Sequence, residues 1–179
     1  MDERVERYVE SLSRMINIPT ISNSIETNPE IFEEFHNLLK ELFPHVFTSF
    51  KYEEFHGSIL LSYLVDNSLD PVLFMSHHDV VSENGVWEHD AFHAIVEDDK
   101  LYGRGTLDTK GNLFAILQSI EELLIEGYSF NRSIYIESSC NEETTNAGAY
   151  EISRELINRG VHFHFTMDEG GMIVHDPFG

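Results

Sequence analysis

An apolar run at 71–75 stops abruptly at Ser76-His77-His78-Asp79-Val80-Val81. Further on, Gly103-Arg104-Gly105-Thr106-Leu107-Asp108-Thr109-Lys110-Gly111 opens an amphipathic stretch. The run is short, bounded by a proline and polar residues, and reads as a buried strand. An imidazole therefore sits at a strand end and a carboxylate at a loop-to-helix junction. Open α/β sheets hold their ligands outside the carboxyl ends of their strands, so this stretch predicts both a fold and the place of its site.

The remaining periodicity agrees. Val5, Tyr8, Val9, Leu12, Met15 and Ile16 fall at helical spacing over 2–16, and the pattern recurs over 30–43, where Pro44 ends it. Further helices are predicted over 108–126, closed by Gly127, and over 147–158, closed by Gly160. Strand-like runs occupy 46–52, 58–65, 72–75, 134–137, 161–167 and 172–175, with a short hairpin at 92–96 and 100–102 turning on Glu97-Asp98-Asp99. Strands alternating with helices predict an α/β fold: a mostly parallel sheet with helices on both faces. Residues 1–179 read as one domain.

Charge excludes several functions. Lys plus Arg is 11 against Asp plus Glu at 32, a formal charge of −21. Such a surface repels nucleic acid and anionic lipid, so neither is an expected partner. The single cysteine, Cys140, cannot form an internal disulfide, which favours a reducing compartment. Met1-Asp2-Glu3-Arg4 has no apolar segment behind it. A cytoplasmic location is the expectation.

His77, Asp108, the pair Glu142-Glu143 and Asp168 fall just after predicted strands or at nearby loop ends. A doubly wound sheet gathers such positions along one edge. Imidazole nitrogen and carboxylate oxygen suit zinc, and one aspartate can bridge two metals about 3.5–4 Å apart. Asp79, two residues past His77, shares its side if the chain stays extended, and can then orient the imidazole. One of the two adjacent glutamates can bind metal while the other moves protons. Each motif has a plain reading too: a surface pair for His77 and Asp79, a helix-capping acidic loop for Glu142-Glu143, a structural turn at Arg104. Cys140, among so many acids, reads as a buried structural residue rather than a nucleophile.

The order of these motifs resembles the di-zinc metallopeptidase family that includes aminoacylase, carboxypeptidase S, glutamate carboxypeptidase, acetylornithine deacetylase and succinyl-diaminopimelate desuccinylase. It is carried by Ser76 to Val81, Trp87 with Phe92, Gly103 to Gly111, Glu142-Glu143, and Asp168-Glu169-Gly170-Gly171, and covers nearly the whole chain. The resemblance implies that His77 and Asp168 bind one zinc, Asp108 bridges two, and Glu143 binds the second. It implies Glu142 as general base and acid, Asp79 as the residue orienting His77, and a cis peptide bond after Asp108. The cofactor would be zinc, with cobalt or manganese able to use the same ligands. The substrate would be a peptide or N-acyl amino acid.

The chain departs from the family pattern at Ser82, Ala91, Asn141, Thr145 and Asn146, none of them in the implied ligand set. Relatives carry a lid and dimerisation domain and then a final histidine for the second zinc. None of these lies in the 179 residues, and His162, His164 and His175 read as ordinary strand or loop residues. The expectation is the N-terminal segment of a catalytic domain, weakly active alone, completed by a C-terminal segment or a second copy. The alternative is a non-catalytic, metal-binding module. A cysteine amidase built on Cys140 is a third reading, excluded if a chelator but not a thiol blocker abolishes activity.

Overall fold

The computed structural model describes residues 2–66 and 68–169. Five strands form one sheet: β1 (Lys51–Phe55), β2 (Ser58–Tyr63), β3 (Val72–His77), β6 (Ile134–Ser139) and β7 (Phe165–Met167), in the spatial order β1-β2-β6-β3-β7. The pairs β6–β3 and β3–β7 are parallel, and β1–β2 and β2–β6 antiparallel. A parallel trio thus carries an antiparallel hairpin on one side. The hairpin turns on His56 and Gly57, both with positive φ (48° and 92°), as a two-residue turn between right-twisted strands requires. A separate pair, β4 (Ile95–Glu97) and β5 (Lys100–Tyr102), turns on Asp98 and Asp99, again both with positive φ.

Helices cover both faces. Strand alternation sends Ile59, Leu61, Val72, Ile134 and Ile136 into one core, with α1 (Glu3–Ile16), α2 (Pro29–Leu42), α3 (Pro44–Ser49) and α4 (Lys110–Ile125). Leu60, Leu73 and Tyr135 point the other way, onto Ile152 and Leu156 of α5 (Ala147–Asn158). Gly148 lets α5 lie close, because a Cβ there would stand 1.9 Å from the Ser58 hydroxyl oxygen.

The hairpin arm expected over 92–96 is only β4, Ile95–Glu97, and two further predicted elements differ. The expected strand over 46–52 is mostly helix α3, and Pro44 begins this helix as well as ending α2. The reason lies far along the chain. Glu121 of α4 accepts hydrogen bonds from the His45 and Val46 backbone N–H groups, at 3.1 and 2.9 Å. These are the unpaired donors of a new helix, and β-branched propensity yields to that cap. The strand expected over 161–167 shortens to β7, and just ahead of it the His164 N–H donates to Pro71 O at 2.8 Å. The predicted strand over 172–175 lies outside the described residues.

Candidate metal centre

β3 and β6 run parallel with His77 opposite Ser139, so both strands deliver their following residues to one edge. β3 contributes His77, Asp79 lies just beyond it, and the loop after β6 contributes Glu142 and Glu143. Asp108 precedes the first turn of α4, and its peptide bond to Thr109 is cis. β7 brings Asp168 and Glu169.

The His77 imidazole is buried and Nε2 faces a ring of carboxylates. It lies 3.0 Å from Asp108 Oδ1, 3.5 Å from Glu169 Oε2 and 3.8 Å from Glu142 Oε2. Ligand atoms of His77, Asp108 and Glu143 all lie within 4.8 Å of one another, and so do those of His77, Glu142 and Glu169. Asp168 enters neither group. It is exposed, and its Oδ1 accepts the Glu169 N–H at 2.9 Å. The neighbouring residue of the Asp-Glu pair is the one turned toward the imidazole.

Nδ1 of His77 lies 2.9 Å from the Asp79 carbonyl oxygen and 3.4 Å from its carboxylate. Both fix the ring with Nε2 outward. The carboxylate has a second task that the sequence did not disclose. It accepts the Glu142 N–H at 3.0 Å, the Glu143 N–H at 3.1 Å and the Ser22 hydroxyl. A fully buried carboxylate thus shapes the loop that presents the glutamate pair. Asn141, where the family pattern has aspartate, uses Oδ1 to accept the Gly148 N–H at 2.9 Å and so ties that loop to α5.

The electrostatics fit a cation. Burial pulls the His77 pKa down, but the Asp79 carboxylate and the Glu169 charge outweigh it and lift it to about 9. Burial, then the charge of Asp108, raises Glu143. Burial also raises Glu169, despite the opposing charge of His77. Carboxylates crowded this closely hold protons unless a cation joins them. His78 is fully buried and pushed well below its usual value by burial, so it adds no charge beside His77.

Other candidates resolve differently. The Arg104 guanidinium stacks 4.7 Å from the Trp87 ring centroid. Lys110 is fully buried, its Nζ donating to the carbonyls of Met15 and Ile18 at 3.0 and 2.6 Å, which locks α1 to the start of α4. Cys140 is buried, its thiol pushed up by burial and 3.3 Å from the Ser58 hydroxyl, which is no setting for a nucleophile. Two cavities of ≈640 and ≈650 Å³ lie away from these residues. The chemistry lines a smaller one of ≈400 Å³ holding His77, Glu142, Asp168 and Glu169.

An imidazole and several carboxylates gathered at the carboxyl edge of the parallel strands make a candidate metal site on an α/β fold. The chain belongs to peptidase family M20/M25/M40, whose family model matches residues 73–178. It is 39% identical over 182 residues to the human N-fatty-acyl-amino acid synthase/hydrolase PM20D1, covering 98% of this chain and 36% of that protein. It is 32% identical to carboxypeptidase S of Saccharomyces cerevisiae, covering 93% of this chain and 32% of that one. Among solved structures, human carnosine dipeptidase 1 superposes with a TM-score of 0.76 at 19% identity, over 96% of this chain and 40% of that one. The Sulfolobus solfataricus metallo-carboxypeptidase Sso-CP2 superposes with a TM-score of 0.73 at 23% identity, over 97% and 38%. These likenesses show the fold. The chain spans about a third of the length of its curated relatives. No described helix is long and apolar enough to cross a membrane.

Proposed function

We propose that this chain is the N-terminal portion of the catalytic domain of a zinc-dependent hydrolase that cleaves the amide bond of a peptide or N-acyl amino acid. The observation that carries the reading is the single buried imidazole nitrogen facing carboxylate oxygens from three separate loops. Similarity to an N-acyl amino acid hydrolase and to a carboxypeptidase supports the substrate class. His77, Asp108 and Glu143 would hold the metal, with Glu169 taking the position that sequence reasoning gave to Asp168. The donor set is one nitrogen and several hard oxygens, which suits zinc and also admits cobalt or manganese. A second metal and a second copy of the chain belong to the same proposal.

The metal would supply Lewis acidity toward the scissile carbonyl. Glu142 would take the proton from the attacking water and pass it to the leaving amine. Its backbone is held by Asp79, while its half-exposed carboxylate faces the cavity. Asp79 would keep His77 in the tautomer that presents Nε2. The test is Glu142→Gln in the complete metal-loaded protein, assayed on a panel of N-acyl amino acids and dipeptides. A fall in kcat of about 10²–10⁴-fold with metal content unchanged is expected. Wild-type turnover would reject the role of Glu142.

A further inference from the structure

β6 is the central strand of the sheet, and Tyr135, Glu137 and Ser139 share the face that packs toward α5. Core parity calls for an apolar residue at the middle position. Glu137 stands there instead, 2% exposed, paired in register with Leu60 and Met75. Its Oε1 has no hydrogen-bond partner among the described residues. A buried acceptor without a partner destabilises a fold, and a native one calls for an explanation.

The location supplies one. Glu137 forms part of the wall between two cavities. One is the ≈400 Å³ cavity of His77, into which Glu137, Glu142, Asp168 and Glu169 converge, with Tyr150 at its side and no lysine or arginine in its lining. The other, ≈250 Å³, is apolar, walled by Leu73, Ile152, Leu156 and Phe163. Met75, Ala149 and Ser153 line both. A group reaching from the metal centre toward Glu137 passes a methionine and an alanine and ends at the carboxyl group whose Oε1 has no partner among the described residues. The first cavity is far larger than a bare ion needs, and four acidic side chains stand in its lining.

We propose that Glu137 is a specificity-determining residue that receives the cationic end of a substrate side chain, of the lysine or arginine type, whose methylenes lie along Met75 and Ala149. The proposal rests on the hydrolase reading for the word substrate, and its binding prediction stands apart from catalysis.

The test is binding, followed by NMR amide shifts and calorimetry on the 179-residue chain, metal-free and zinc-titrated. The probes are Nα-acetyl-lysine, its uncharged isostere Nα-acetyl-norleucine, and Nα-decanoyl-glycine. At pH 8.5, where Glu137 has given up its proton, Nα-acetyl-lysine is expected to bind about 10- to 100-fold tighter than the norleucine probe, the range of one charge-assisted hydrogen bond, with shifts at Glu137, Ala149 and Ser153. Glu137→Gln should shrink that preference to within about threefold and leave zinc stoichiometry as it was. Asp168→Asn, which should weaken lysine binding less, keeps the test open if the first variant does not fold. Equal or tighter binding of norleucine, or a lysine preference that survives Glu137→Gln, would overturn the proposal. So would the decanoyl chain displacing lysine from these residues. Failure of zinc to bind while the lysine preference holds would count against the hydrolase reading and leave this one standing.

Discussion

Asp79→Asn separates two ways in which a buried carboxylate can serve the site. In the structure Oδ1 accepts the Glu142 N–H, and Oδ2 accepts the Glu143 N–H and the Ser22 hydroxyl. Asparagine keeps the shape but has one oxygen. Whichever way the amide turns, its NH₂ meets a backbone N–H, so one charge-assisted bond becomes a donor facing a donor. Such a bond contributes about 1.5–3 kcal/mol, and stranding the donor adds to the loss. The expected destabilisation is about 2–3 kcal/mol, a large part of a domain's usual 5–15 kcal/mol. Ser22 can rotate to accept and softens the loss on its side. Urea unfolding in chelator should show the midpoint fall at unchanged m. Hydrogen exchange at the Glu142 and Glu143 amides should speed up by roughly 30–150-fold, the same energy read locally. A metal-free stability within about 0.5 kcal/mol of wild type, with exchange at these amides unchanged, would refute the loop-holding role. Asp79 would then act on His77 alone, and only metal affinity would suffer.

Glu137→Gln should change the pH dependence of stability. Burial, with the Asp168 charge behind it, lifts the Glu137 pKa to about 8 from its ordinary 4.5. The folded state therefore keeps a proton that the unfolded state releases, and the stability present below pH 4.5 is lost as pH rises to 8. The variant should gain on wild type by an amount growing to several kcal/mol, on the order of 3–5, between pH 5 and 8; thermal unfolding across that range reads it, and a constant difference would contradict it. Gly148→Ala should destabilise by about 1–2 kcal/mol in urea, because overpacking against the Ser58 hydroxyl outweighs the helix-propensity gain. Adding Ser58→Ala should recover part of the loss, and a stabilised single variant would show that α5 can shift. Lys110→Met strands the buried carbonyls of Met15 and Ile18. It should lose about 2–3 kcal/mol, some 5–10 °C in Tm by calorimetry; an unchanged Tm would mean that water replaces the amine.

Legibility in the sequence followed the range of the interactions. Helix α5 spans the predicted 147–158, and the β4–β5 turn falls on Asp98 and Asp99 as expected, because periodicity and turn chemistry are local. Helix α3 was hidden because its cap, Glu121, lies on another helix. The motif pattern pointed to His77, Asp108, Glu142 and Glu143, and the structure gathers them. It also pointed to Asp168, whereas Glu169 is the acid of that pair nearer the imidazole, 3.5 Å from His77 Nε2, since which of the two turns inward depends on where β7 ends. The pairing of Asp79 with His77 was inferred from an extended chain, but β3 stops at His77, so the backbone carbonyl makes the closer contact. Glu137 gave no signal at all: one acid at the end of an apolar run reads as a strand terminus until the neighbouring strands bury it.

The central claim is that His77 and several carboxylates, drawn from distant stretches, share one cation. X-ray absorption at the zinc edge of the zinc-loaded chain tests it most directly. The account predicts a single imidazole nitrogen with oxygen scatterers at about 2.0–2.2 Å and no sulfur, and loss of the imidazole signal together with tight binding in His77→Ala. A shell containing sulfur or several imidazoles, or the same spectrum and affinity in His77→Ala, would place the metal elsewhere and contradict the account.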